Sequence, residues 1–361
     1  QLETSSKQST AGTTYPWKNS LDRGQKRPDP VIFSAGDPAG VGPELLGKLV
    51  EEYSPSGPSW LIFHSSPNTE DLVNALEESS GRDVLRIPYA KLNDLKSTVI
   101  QAMKGPGQVA VVEPDDADIV AGKPGRESGR LAFQALESAC DWIRDQGCMG
   151  LLTAPLSKEH VHLAGQTGFS GHTGYLARRF NASVLMLMHG QDFSVLPLTV
   201  HIPIKKVSEE LKRTVQRPEL VDEIQSILQR PAFKGKKVAL CGLNPHSGEG
   251  GLLGTEEQDY LMEFADRLRS NQVDVDGPLS ADGLFTDGVR KQYRLILSCY
   301  HDQGLIPFKS LEGMNGINVT IGLPFLRTSP DHGTAFSLAG KGIANPSSMV
   351  QSYRAIVQGE L

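Results

Sequence analysis

Short, uninterrupted apolar runs recur along the chain, each followed by a longer stretch with hydrophobic residues at helical spacing, and no other feature narrows the fold so far. The runs lie at residues 31–33, 60–63, 109–112, 151–153, 184–188, 238–240 and 295–297. Runs so brief and so continuously apolar read as strands buried on both faces. Between them, Leu131, Ala135, Leu136 and Ala139 follow a Ser128-Gly129 start. Leu220, Ile224, Ile227 and Leu228 follow Pro218, and Leu261, Phe264, Ala265 and Leu268 follow the acidic pair Glu256 and Glu257. Each group forms one apolar helix face. Strands alternating with one-faced helices predict an α/β fold with mostly parallel sheets covered on both sides. Ligands in such folds gather beyond strand carboxyl ends or between domains, so the loops that follow strands are where chemistry is expected.

The remaining bulk properties exclude classes. A net charge of −6 without a Lys/Arg stripe lacks the footprint of a nucleic-acid binder and points to small-molecule partners. Cys140, Cys148, Cys241 and Cys299 show no CxxC spacing, which argues against a disulfide scaffold or a cysteine zinc site and suits a reducing cytoplasm. No run reaches the ~18 apolar residues of a membrane helix. Residues 1–29 are rich in Ser, Thr, Lys, Gly and Pro and predict a disordered extension. Whether a leader precedes Gln1 stays open.

Nine histidines are present. Three stand just after apolar runs: His201 before Ile202-Pro203, His246 in the loop at 241–251, and His301 in the loop at 298–304. Three imidazoles at strand ends suit an open divalent metal site, though unrelated loop histidines would look the same. Among glycine-rich segments, residues 33–46 place Gly36, Gly40 and Gly42 between a strand and a helix, where backbone N–H groups can approach a phosphate. Their spacing is not the GxGxxG dinucleotide fingerprint. The GxGxxA match at 105–110 leads into a strand and is read as chance. The turn at Gly248, Glu249, Gly250 and Gly251 is either a plain turn or a place where a cofactor lies close to the main chain.

Taken together, GDPAGVGPE (36–44), APLSK (154–158), GHT (171–173), VHIP (200–203), GLNPHSGEGG (242–251), ADGLF (281–285), YHDQG (300–304), NVTIGLPFLRTSPDHGTA (318–335) and AGKGIANPSSM (339–349) resemble the 4-hydroxythreonine-4-phosphate dehydrogenase family. The resemblance runs from about residue 31 to the C-terminus. It implies a two-domain α/β/α fold like that of isocitrate and isopropylmalate dehydrogenases, with the active site between domains: residues 30–158 plus 330–361, and residues 159–329. It implies that His201, His246 and His301 hold a divalent metal (zinc, magnesium or cobalt), and that His172, Thr173, Lys309, Asn318 and Arg327 contact substrate. The family's site is completed across a homodimer interface, and its cofactor is NAD, with NADP use undecided; Gly248, Glu249, Gly250 and Gly251 are the candidate cofactor loop. His172, Asp282 and Asp302 are candidates for moving protons or orienting ligands, against the plainer reading of the aspartates as turn caps.

Four departures accompany the resemblance: Gly174 where relatives commonly carry Glu, Ser170 for a more usual Thr, Ser337 at an often acidic position, and the leading extension. The expected reaction is NAD-dependent oxidation of a phosphorylated hydroxythreonine, a step in vitamin B6 synthesis. Alternatives are a phosphorylated threonate or erythronate, or a cis-dihydrodiol carboxylate. A metal-dependent hydrolase and a phosphate-binding module are the competing classes, told apart by nucleotide-independent ester cleavage and by binding without turnover.

Overall fold

All seven apolar runs form buried strands, and five further strands join them in one sheet. The computed structural model describes residues 30–361 apart from 54–56, 67, 115, 116 and 360. The expected extension at 1–29 lies outside the described residues. In chain order the strands are β1 (Val31–Ser34), β2 (Trp60–Phe63), β3 (Leu85–Pro88), β4 (Val109–Glu113), β5 (Gly150–Thr153), β6 (Leu185–His189), β7 (Ser194–Pro197), β8 (Val238–Cys241), β9 (Val275–Leu279), β10 (Leu295–Ser298), β11 (Ile317–Ile321) and β12 (Leu326–Pro330). Their order across the sheet is β3-β4-β2-β1-β5-β12-β11-β6-β7-β10-β8-β9. The two expected domains therefore share a continuous sheet.

Pairings are parallel except in the middle, where β12/β11, β11/β6 and β6/β7 are antiparallel. Three successive reversals leave β7, β10, β8 and β9 running opposite to β12 and the strands beyond it. Carboxyl ends of the first half and of the second half thus face opposite edges. The loops after β7, β8 and β10, which carry His201, His246 and His301, emerge along one edge.

Helices cover the sheet as their apolar faces require. In the first half these are α1 (Gly42–Glu52), α2 (Glu70–Ser80), α3 (Lys96–Ala102) and α4 (Arg126–Gln146), followed by the hairpin α5 (Lys158–Leu163) and α6 (His172–Arg179). Ser157 caps α5 by accepting the His160 N–H at 3.4 Å. Gly129 allows α5 to lie against α4, since a Cβ there would strike the His160 carbonyl. The second half has α7 (Val207–Val215), α8 (Glu219–Leu228), α9 (Met262–Ser270), the single turns α10 (Ala281–Leu284) and α11 (Asp287–Arg290), and α12 (His301–Glu312). The chain ends on α13 (Ser347–Val357), which returns to the first half: Tyr353 accepts the Trp60 indole N–H at 3.0 Å beside the Phe33 ring.

The helix expected after Glu256 and Glu257 begins instead as a π-helical turn, Glu257–Leu261, before α9. That wider turn aims the buried Glu257 carboxylate at the loop carrying His246. One apolar cluster runs through both halves, from Phe33 and Trp60 to Phe264 and Leu297.

Candidate active site

Alternation along β12 places the site. Thr328 points to one face, where its hydroxyl donates to the Ser352 carbonyl of α13, while Arg327 and Ser329 point to the other. On that second face lies a cleft of about 640 Å³ walled by α6, α12 and the loop after β12. Its lining includes His172, Thr173, Asn318, Lys309 and Arg327, so all five expected substrate contacts come together, and His201 reaches the rim.

Arg327 is 2% exposed, and its guanidinium donates only to hydroxyls, Thr153 Oγ1 at 2.6 and 3.1 Å and Thr320 Oγ1 at 3.1 Å. Burial pushes it down to about 9, so it stays charged near neutrality with no carboxylate beside it. Buried cations without a partner are costly, and an anionic ligand relieves that cost. Three more groups in the lining lack partners among the described residues: His172 Nε2, Asn318 Oδ1 and His332 Nε2 are shut off from solvent and unbonded. Burial, reinforced by Arg327 and Lys158, holds His172 well below the usual histidine range, so its ring is neutral. Lys309 is already engaged with Asp331, its Nζ 2.9 Å from Oδ1.

Beside the cleft, a cavity of about 260 Å³ is lined by His201, Tyr300, His301 and Asp302. The His201 and His301 rings are 5.4 Å apart, because β7 and β10 are neighbours. Burial, with help from His301 and Lys158, lowers His201, which favours the neutral ring a metal needs. Asp302 Oδ1 lies 2.7 Å from His301 Nδ1, the placement in which a carboxylate fixes an imidazole ring and leaves its far nitrogen free to ligate. The donor set therefore fits a divalent ion with two of the three expected imidazoles.

His246 stands elsewhere, on the far side of β10, exposed and close enough to Asp282 to help lower that carboxyl, after Ser280 and the Gly283 amide. Among the described residues, no three His, Cys, Asp or Glu side chains of a single chain meet around one point. His246 opens a left-handed turn in which His246, Ser247, Gly248, Glu249 and Gly250 all have positive φ. Glu257 fastens its entrance, accepting from the Leu243 N–H at 2.7 Å, the Asn244 N–H at 2.8 Å and the Asn244 amide at 2.9 Å. Gly248 is required there, because a Cβ would come within 2.8 Å of Glu257 Oε2. Gly248, Glu249, Gly250, Gly251 and Asp282 line neither cavity.

Residues not singled out from the sequence also line the cleft: Thr153, Lys158, Asp331 and His332. Thr153 ends β5 and Lys158 lies just beyond its carboxyl end, the position that α/β grammar marks. The departures Ser170 and Gly174 touch one another: a Cβ on Gly174 would collide with Ser170 Oγ, which in turn accepts from Arg178 at 2.9 Å.

The profile of the family described as pyridoxal phosphate biosynthetic protein PdxA matches residues 71–356. A 4-hydroxythreonine-4-phosphate dehydrogenase of Zymomonas mobilis is 33% identical, covering 89% of this chain and 92% of its own. A D-threonate 4-phosphate dehydrogenase of Pectobacterium atrosepticum is equally similar at 33%, covering 91% and 98%. The crystal structure of a 4-hydroxythreonine-4-phosphate dehydrogenase from Klebsiella pneumoniae matches with a TM-score of 0.72 at 29% identity, covering 91% of this chain and 97% of its own. Fold and relatives together define an α/β dehydrogenase. The chain belongs to the PdxA family of pyridoxal phosphate biosynthetic proteins.

Proposed function

We propose that this chain oxidises the C3 hydroxyl of 4-phosphohydroxy-L-threonine with NAD, giving 2-amino-3-oxo-4-phosphooxybutanoate, which loses carbon dioxide to form 3-amino-2-oxopropyl phosphate on the route to pyridoxal phosphate. The observation that carries this reading is Arg327, a sealed cation at the cleft floor whose neighbours His172 and Asn318 also await polar partners. A phosphorylated hydroxy acid supplies the anion and the hydrogen-bonding edges together.

His201 and His301 would hold a divalent ion such as zinc, magnesium or cobalt, with Asp302 fixing the His301 ring. When bound, such an ion would make a hydroxyl easier to deprotonate, as a catalytic zinc lowers bound water from 15.7 to about 7. Neutral His172 can accept or relay a proton, and Thr173, Asn318 and Arg327 orient the substrate in the cleft. The third imidazole is assigned to His246 of the partner subunit in a homodimer. Exposed apolar side chains support that arrangement: Ile204 and Ile306 near His201 and His301, and Leu252 just past the left-handed turn. The partner's glycine turn, Gly248 to Gly251, is the proposed approach for the dinucleotide, since Gly250 has open space around it.

A phosphorylated threonate is the second reading, favoured by one feature. Among the described residues, Asp331 is the one carboxylate in the cleft lining and is paired with Lys309, which leaves no other acid there to receive an α-ammonium. An NAD-coupled assay of both substrates, with metal removed by chelation and restored, tests these readings. NADH formation that vanishes with chelation supports them; absence of nucleotide reduction with either substrate refutes them. The four cysteines are buried and form no disulfide among the described residues, which suits a cytoplasmic setting, and among the described residues no helix is long and apolar enough to cross a membrane.

A further inference from the structure

Behind the sheet, on the face that α13 covers, lies another cavity of about 400 Å³. None of the residues discussed as catalytic or substrate-binding lines it. Ile317 lines this cavity and its neighbour Asn318 lines the cleft, so the two pockets occupy opposite faces of β11. Its polar side chains are His189, Gln191, Arg294, Asn315, Gln351 and Arg354. Every one of them can donate a hydrogen bond, and none is an acid.

Arg294 is the centre of the argument. Its guanidinium lies over the Phe233 ring at 5.6 Å, and its Nη1 donates to the carbonyls of Gly190 and Gln191, each at 3.0 Å. It forms no ion pair among the described residues. Glu312, an acid whose field it feels, is spent on the backbone N–H groups of Gln191, Asp192 and Phe193 at 2.9 to 3.0 Å. Arg354 adds a second guanidinium, ion-paired with Glu52 at 3.6 Å and donating through Nε to the Tyr53 hydroxyl. The His189 ring is neutral, because burial and Arg294 push it down to about 3. Its Nδ1 shares a hydrogen bond with Ser194 Oγ at 2.9 Å.

We propose that this rear cavity binds a small phosphate monoester, its dianion taken by Arg294 and Arg354 and its body met by the amides of Gln191, Asn315 and Gln351. A carboxamide-rich wall with two guanidinium groups and no acid among its lining residues favours a dianion over a neutral ligand, and the volume is of small-molecule size.

Equilibrium dialysis of the full chain with labelled inorganic phosphate tests the proposal. Because the cleft also offers Arg327, the measurement is made on the wild type and on Arg327→Met. Saturable binding should survive Arg327→Met and weaken about 10-fold or more when Gln351→Glu or Arg294→Gln is added, the loss expected for a charge-assisted bond. Gln351→Glu leaves the Arg294 braces to the 190–191 loop in place, so it reports on the site rather than on folding. Glycerol 3-phosphate should displace the label at lower concentration than phosphate itself. Loss of all saturable binding in Arg327→Met overturns the proposal, and so does binding untouched by both rear-cavity substitutions. Competition by inorganic phosphate alone overturns the monoester assignment.

Discussion

Arg327 concentrates the energetics of the cleft into one side chain. A planar fork, charged near neutrality, that donates to two threonine hydroxyls has spare capacity for an anion. Arg327→Met is expected to raise KM about 100-fold, the cost of a charge-assisted pair, with Arg327→Lys recovering only part because its charge is a point. Steady-state kinetics decide this; an unchanged KM would remove Arg327 from substrate binding. At His189 the consequence concerns pH. The folded ring is pushed down to about 3, whereas an unfolded histidine titrates near 6.5. Below about 6.5 the unfolded chain therefore binds the extra proton, so the stability contributed by a neutral ring is full above that pH and lost as pH falls toward 3. Urea unfolding between pH 7 and about 4 should show a shallower decline for His189→Gln than for the wild type; parallel slopes would contradict the assignment.

At the scale of elements, what could be read from residues was local. The seven strands of the uninterrupted apolar runs announce themselves by composition, as does β7 through the run at 195–200 that precedes His201, and the histidines that follow β7, β8 and β10 mark strand ends. Four strands escape that reading for physical reasons. In β3 only Ile87 is buried, and β9 holds Gly277 and Pro278, which an edge strand tolerates. The central β11 and β12 carry Asn318, Thr320, Arg327 and Ser329, polar residues placed there because one face of these strands is the cleft. Adjacency was equally hidden: His201 and His301 meet because β7 pairs with β10, a relation 100 residues apart in sequence that no spacing encodes. The Glu257 clamp on the His246 loop belongs to this scale as well. Glu257→Gln, which keeps one oxygen for the backbone N–H groups but sets a donor against the Asn244 side-chain amide in place of Oε2 and removes the charge, should cost about 2 kcal/mol of stability in thermal or urea unfolding. It should also weaken divalent-metal binding about 10-fold by calorimetric titration, with Glu257→Asp intermediate. A full-strength metal site in Glu257→Gln would show that the clamp does not position His246.

For the whole molecule, reversal of strand direction at the middle of the sheet sends the three histidine loops to a common edge, yet only two imidazoles meet within one chain. Leu252, 82% exposed beside the His246 loop, is the side chain a monomer has least reason to keep. Leu252→Arg is expected to yield a monomer in sedimentation experiments that binds metal weakly and lacks activity; a fully active monomer would refute the shared site.

The tryptophans described in the structure, Trp60 and Trp142, both lie in the first half, on β2 and α4, and the second half has none. Their fluorescence is therefore blind to the region between β6 and β11 and can serve as a one-sided reporter. Since a single apolar cluster ties both halves, emission and far-ultraviolet ellipticity should change together on heating. Separated midpoints would reveal that the histidine-bearing half melts by itself.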